Sequence, residues 1–114
     1  NLSSMKYNYQ EKQSTAIRIS LTDDSDQEIA RAYIFLITND LHDQPYALLE
    51  DVFVAEEHRG KGFGKQLIEH AVKKARDLGC YKLIGTSRNE RPKVHQFYEK
   101  LGFDRHGFEF RLNL

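Results

Sequence analysis

The stretch Val52-Phe53-Val54-Ala55-Glu56-Glu57-His58-Arg59-Gly60-Lys61-Gly62-Phe63-Gly64 constrains this chain more than any other. An apolar run enters it, a basic glycine-rich turn follows, and an amphipathic helix pattern leaves it. Glycine lets backbone N–H groups approach a ligand with no Cβ in between. A helix start leaves its first four N–H groups unpaired and carries partial positive charge. Together these make an anion site of the kind that holds phosphate groups, here the floor of a pyrophosphate pocket. Two common phosphate loops fail on this sequence. The pattern G-x-x-x-x-G-K-[ST] fails because Gln66 follows Gly64-Lys65 and Arg59 stands where the first glycine belongs. The pattern G-x-G-x-x-G is met by Gly60 and Gly62, but its third glycine arrives one residue early, at Gly64.

The rest of the chain narrows the classes. A length of 114 residues suits one small domain with a single core. Lys+Arg and Asp+Glu number 17 each, a balance that argues against a nucleic-acid-binding protein, which is usually strongly basic. No apolar run approaches the length of a membrane span, and there is no signal-peptide pattern. Cys80 alone permits no intrachain disulfide and suits a reducing compartment, the cytoplasm. It reads as a small buried apolar residue rather than a nucleophile. No His/Cys/carboxylate set has metal-ligand spacing, so no metal is expected.

Residues 1–15 read as an N-terminal arm, polar with scattered tyrosines; the four residues ahead of Met5 are consistent with a cloning remnant. Residues 16–114 form the expected domain. Residues 16–21 alternate, with Ile17, Ile19 and Leu21 on one face, which predicts a half-buried strand. Residues 30–38 are apolar nearly throughout and predict a strand buried on both faces. Residues 46–54 predict a third, completing an antiparallel meander. Phe63, Leu67, Ile68, Ala71, Val72, Ala75 and Leu78 recur at helical spacing, and Gly79 is placed to end that helix. Residues 81–86 predict a buried strand, reached through a crossover and therefore parallel to the third. Pro92 suits the first turn of a second helix, which Gly102 ends. Phe108, Phe110 and Leu112 alternate with Glu109 and Arg111 in a predicted final strand. The expected fold is therefore α/β (α+β): a mixed sheet with an antiparallel meander followed by β-α-β-α-β.

The pattern Arg59-x-x-Gly62-x-Gly64 resembles the acyl-CoA loop [QR]-x-x-G-x-[GA] of the GNAT N-acetyltransferases. Phe97-Tyr98-Glu99-Lys100-Leu101-Gly102-Phe103 is similar to the C-terminal motif of that family, a helix that carries a tyrosine and ends in Gly-Phe. The resemblance covers residues 46–114 well and the preceding hairpin loosely. Residues 46–103 look rather like glucosamine-6-phosphate N-acetyltransferases, although the motifs leave the acceptor site mostly untouched. Two departures stand out. Members usually begin with a strand and one or two helices that help to build the acceptor pocket; here that layer is short or missing. Many members carry an asparagine seven residues before the tyrosine; here Arg91 holds that place, with Asn89 two residues earlier.

The resemblance implies acetyl transfer from acetyl-CoA to a primary amine of a small molecule or peptide. Backbone N–H groups of Gly60, Lys61, Gly62, Phe63 and Gly64 would receive the pyrophosphate, and Arg59, Lys61 and Lys65 would add charge. Phe53 and Val54 would pair with the pantetheine arm as with an added strand. Val52 would offer its N–H to the oxyanion. A typical alkylammonium has a pKa of about 10, so the acceptor needs a base or a water relay. Glu50 or Asp51 can supply it, with the family comparison favouring Glu50. Tyr98 would protonate the leaving thiolate. Asn89 and His95, which shares the helix face of Tyr98, are further candidates beside the cofactor. Two other readings compete: a CoA-binding module without turnover, and a homodimer formed through the exposed first strand.

Overall fold

The computed structural model describes residues 4–114. Three antiparallel strands come first, β1 (Ala16–Thr22), β2 (Glu28–Ile37) and β3 (Tyr46–Val54). A 3₁₀ turn (Glu56–His58) and the glycine loop lead to α1 (Phe63–Asp77), then β4 (Leu83–Gly85) and α2 (Pro92–Lys100). The sheet order is β1-β2-β3-β4, with β4 parallel to β3, as the crossover helix requires.

One face of this sheet carries the core. Ala30, Ala32 and Ile34 of β2 and Ala47 and Leu49 of β3 are buried beneath Leu67, Ile68, Ala71 and Ala75 of α1. Alanines on both sides let the helix axis lie close to the strands. At about 25 cal/mol per Å² of apolar surface, this stripe is the main term holding α1 in place. The helix ends in a Schellman motif. Gly79 has φ +79°, its N–H bonds to the Arg76 carbonyl, and the Cys80 N–H reaches the Ala75 carbonyl. Cys80 itself is half-buried, and burial pushes its thiol pKa up.

Three expectations need correction. The second strand is buried on one face only: Arg31, Tyr33 and Phe35 on the other face are half-buried, because no layer covers that face among the described residues. The fourth strand is three residues long rather than six, because its partner β3 departs from it after Leu49. The final strand does not form. Residues 103–114 carry no regular element, and Phe108, Phe110 and Leu112 are 84%, 92% and 83% exposed. Alternation makes a segment able to be a strand, but pairing needs an edge within reach.

Candidate active site

The glycine loop delivers α1 with its amides open. Gly62 is the N-cap, in a left-handed conformation (φ +86°), and no side chain caps the helix. Gly60 is left-handed as well (φ +76°). The first bond of the helix is Gln66 N–H to the Gly62 carbonyl at 3.2 Å. Among the described residues no hydrogen bond takes up the N–H groups of Gly60, Lys61, Gly62, Phe63, Gly64 or Lys65. A Cβ built on Gly60 or Gly62 would meet nothing within 4 Å, so the backbone there faces open space. Lys61 is exposed, and Lys65 lies 4.0 Å from Glu69. These amides face a cleft of about 250 Å³ lined by Val54, His58, Arg59, Gly64 and Phe97 among others. It runs between the end of β3 and the side of α2.

The cleft exists because β3 breaks away from β4. Pairing between these parallel strands ends at Leu49↔Gly85. Just there β3 bulges: Arg31 pairs with Phe53 and Tyr33 with Glu50, leaving Asp51 and Val52 opposite Ala32 alone. Asp51 takes the left-handed conformation (φ +52°), which an aspartate tolerates better than most residues. Beyond the bulge the Ala55 N–H bonds to the Ile29 carbonyl. Alternation then points the backbone groups of Phe53 toward β2 and those of Val52 and Val54 toward the cleft. Of the three residues, Val52 and Val54 thus present their backbone groups to the cleft, and Phe53 presents its own to β2. Arg59 also occupies this edge. Its Nε donates to the Val54 carbonyl at 2.9 Å, and its guanidinium lies 5.5 Å from the Phe53 ring. Arg59 therefore ties the loop to β3 while remaining exposed at the cleft.

Tyr98 comes from α2, next to the cleft-lining Phe97, and its ring lies where β3 and β4 stop pairing. Its ring packs on Gly85, where a Cβ would come within 3.6 Å of it, and on Phe103 at 5.2 Å. The second contact belongs to the helix stop. Gly102 (φ +96°) donates to Glu99, the Phe103 N–H reaches the Tyr98 carbonyl, and the Phe103 side chain folds back over Tyr98. The Gly-Phe of the motif thus fixes the tyrosine. Burial pushes the Tyr98 pKa up, and the neighbouring Glu50 carboxylate raises it further, since a phenolate beside a carboxylate is disfavoured. The phenol keeps its proton through neutral pH.

The two candidate bases separate. Asp51 is gripped by Arg31, Nε to Oδ2 at 2.9 Å and Nη2 to Oδ1 at 3.2 Å, and this pair holds its carboxyl below the usual range. Glu50 is exposed, has no ion-pair partner among the described residues, and lies close enough to Tyr98 to act on it. His95 is half-buried and its Nε2 sits 2.7 Å from the Arg88 carbonyl, so it holds the turn ahead of α2. Asn89 is exposed in that turn. Sequence reasoning missed Phe97 as a wall of the cleft; its Cζ is 3.8 Å from a Cβ built on Gly64. Its place beside Tyr98 was the available signal. No group of three or more metal-ligating side chains exists among the described residues.

A bulged strand thus parts from its parallel neighbour, the next helix opens with unpaired amides, and the following helix brings in a tyrosine. Residues 3–103 match the model of the Acetyltransferase (GNAT) family, and the chain belongs to that family. It is 46% identical over 66 residues to a glucosamine 6-phosphate N-acetyltransferase of Trypanosoma brucei brucei, covering 58% of this chain and 43% of that protein. The chain spans less than half the length of the curated relatives it matches. Among solved structures, a Trypanosoma brucei acetyltransferase superposes with a TM-score of 0.78 at 30% identity, over 87% of this chain and 69% of that one. The glucosamine-6-phosphate N-acetyltransferase of Arabidopsis thaliana superposes with a TM-score of 0.75 at 25% identity, over 86% and 66%.

Proposed function

We propose that this protein is an N-acetyltransferase that moves an acetyl group from acetyl-CoA to a primary amine by direct attack. The observation that carries the reading is the row of unpaired amides at residues 60–65, opening onto a cleft walled by Val54 of β3 and Phe97 of α2, the neighbour of Tyr98. Acetyl-CoA supplies the activated thioester. Gly60, Lys61, Gly62, Phe63 and Gly64 bind its diphosphate through their N–H groups, with Lys61 and Lys65 adding charge. Val54 and Val52 hold the arm along the open edge of β3. Glu50, directly or through water, takes the proton of the attacking amine. The Val52 N–H meets the carbonyl oxygen as charge builds on it. Tyr98 hands its proton to the departing sulfur. A cytoplasmic setting fits the lone Cys80.

The acceptor belongs to small molecules or peptides, and glucosamine 6-phosphate is the first to try because relatives are named for it. A second reading is a CoA-binding module with little turnover. The uncovered sheet face beside Glu50 favours it, since the cross-strand partner Tyr33 is only half-buried there. One experiment separates them: thiol release from acetyl-CoA with a panel of amines, alongside CoA binding by calorimetry. Binding with amine-dependent thiol release supports the enzyme. Binding without it supports the module, and no binding removes both.

A further inference from the structure

We propose that Arg31, on the strand next to the site, is a positioning residue for acetyl transfer: it clamps the β3 bulge in the shape that aims both Glu50 and the Val52 N–H at the reacting centre. This rests on the acetyltransferase reading and adds to it a residue that acts through its neighbours. Successive residues of a strand face opposite sides. Ile34 pairs with Leu49, and both are buried under α1. The next pair, Tyr33 and Glu50, therefore lies on the uncovered face. Phe53 pairs with Arg31 and lies on that face too. Positions 50 and 53 are an odd number of residues apart, so an unbroken strand would put them on opposite faces. The extra residue at the bulge restores the phase. Asp51, at φ +52°, makes the turn, and Val52 and Val54 then pack on the core side. Without the bulge, Glu50 could stay on its face only if Phe53 and Val54 exchanged theirs.

Arg31 fastens this shape. Its Nε and Nη2 donate to the two carboxylate oxygens of Asp51 at 2.9 and 3.2 Å, a fork that fixes the carboxylate in direction as well as distance. The same guanidinium lies 4.7 Å from the centre of the Phe53 ring. One side chain thus grips the left-handed residue and the residue that resumes regular pairing, and it does so where the register shifts. Arg59 holds Phe53 and the Val54 carbonyl on its own account, so loss of Arg31 leaves the glycine loop tied to β3. In the proposed reaction Glu50 acts on the attacking amine and the Val52 N–H on the carbonyl oxygen, so the two must be aimed together. A misplacement of about 1 Å in such a set costs about 10²-fold in rate. An ammonium supplies no such fork. The pair Arg18–Glu28, also forked at 2.6 and 2.9 Å, joins β1 to the start of β2 away from the bulge and serves as a control.

Steady-state transfer to the amine of the panel that releases thiol fastest tests this, with CoA affinity by calorimetry on the same preparations. Arg31→Ala and Asp51→Ala are each expected to lower kcat by about 10–100-fold, with CoA affinity retained. The double variant should fall no further than the lower of the two, because both remove one clamp. Arg31→Lys keeps the charge and the stem, so it isolates the fork; its kcat should stay well below the parent's. Glu28→Gln should keep the parent's kcat. In Arg31→Ala the amide resonances of Glu50, Asp51 and Val52 should move while those of α1 stay in place. Parent-like kcat in Arg31→Ala or Arg31→Lys overturns the proposal. So do additive losses in the double variant, or a Glu28→Gln loss as large as that of Arg31→Ala. A parent that binds CoA but releases no thiol with any amine overturns the acetyltransferase reading itself, and the clamp's role with it; an active parent with an equally active Arg31→Ala overturns the clamp alone.

Discussion

Replacing Gly62 with alanine probes the helix mouth with a magnitude that the geometry supplies. A Cβ at this position meets nothing within 4 Å, so no clash contributes. What remains is the backbone: φ is +86°, and holding an L-residue in a left-handed conformation costs about 1–2 kcal/mol. The cost can fall in two places. If the loop keeps its shape, stability drops by the full amount; at about 4 °C per kcal/mol for a domain of this size, Tm falls by roughly 4–8 °C with CoA affinity unchanged. If the turn relaxes toward negative φ in the free protein, the amides swing off target. The same energy then appears as roughly 5–30-fold weaker CoA binding. The two losses together should total about 1–2 kcal/mol. Thermal melts and calorimetry with CoA on one preparation measure both. Gly62→Asn should lose less, because asparagine tolerates this region. Gly64→Ala should stay within about 0.5 kcal/mol in stability, since its Cβ makes only ordinary contacts at 3.8 Å with Phe97 and Val54. If Gly62→Ala matches the parent in both Tm and affinity, the left-handed turn is not what aims the amides.

Tyr98→Phe should lower turnover by about 10²-fold or more while leaving CoA affinity intact, and steady-state kinetics beside calorimetry check the split. The Asp51–Arg31 pair makes a pH prediction. The folded-state pKa of Asp51 lies below its ordinary value, so its stabilisation is present above that value and is lost as pH falls through the lower one. Asp51→Asn should therefore lose less stability between neutral pH and the range below about pH 4 than the parent does, as read by urea unfolding. Arg59→Ala frees the Val54 carbonyl and unties the loop from β3; it should weaken CoA binding, and tighter binding would show that Arg59 obstructs the site instead.

Much of this arrangement was legible in the sequence because it rests on local rules. The periodicity of Leu67, Ile68, Ala71 and Ala75 gives α1, and Gly79 and Gly102 mark both helix ends with positive φ. Gly60 and Gly62 mark the turn that opens the amides. What escaped depends on contacts between distant parts. Nothing in the residues 50–52 announces a bulge, yet that bulge sets the cleft, shortens β4 and decides which backbone groups face the ligand. Arg59 reads as a free cation until the Val54 carbonyl is found beside it. The family comparison favours Glu50 over Asp51, but the physical difference between these neighbours lies in the position of Arg31 on the adjacent strand. Phe108 and Phe110 carry a strand pattern, yet they stay exposed and no strand forms, because alternation alone names no pairing edge.

Amide NMR with CoA tests the account most directly. Titrating CoA into the labelled protein should move the amide resonances of Gly60, Lys61, Gly62, Phe63 and Gly64 most, and slow their exchange with solvent, as N–H groups now open to water take up phosphate oxygens. If CoA binds while those resonances stay in place, or if it does not bind at all, the mouth of α1 is not a diphosphate site and the proposed activity loses its support.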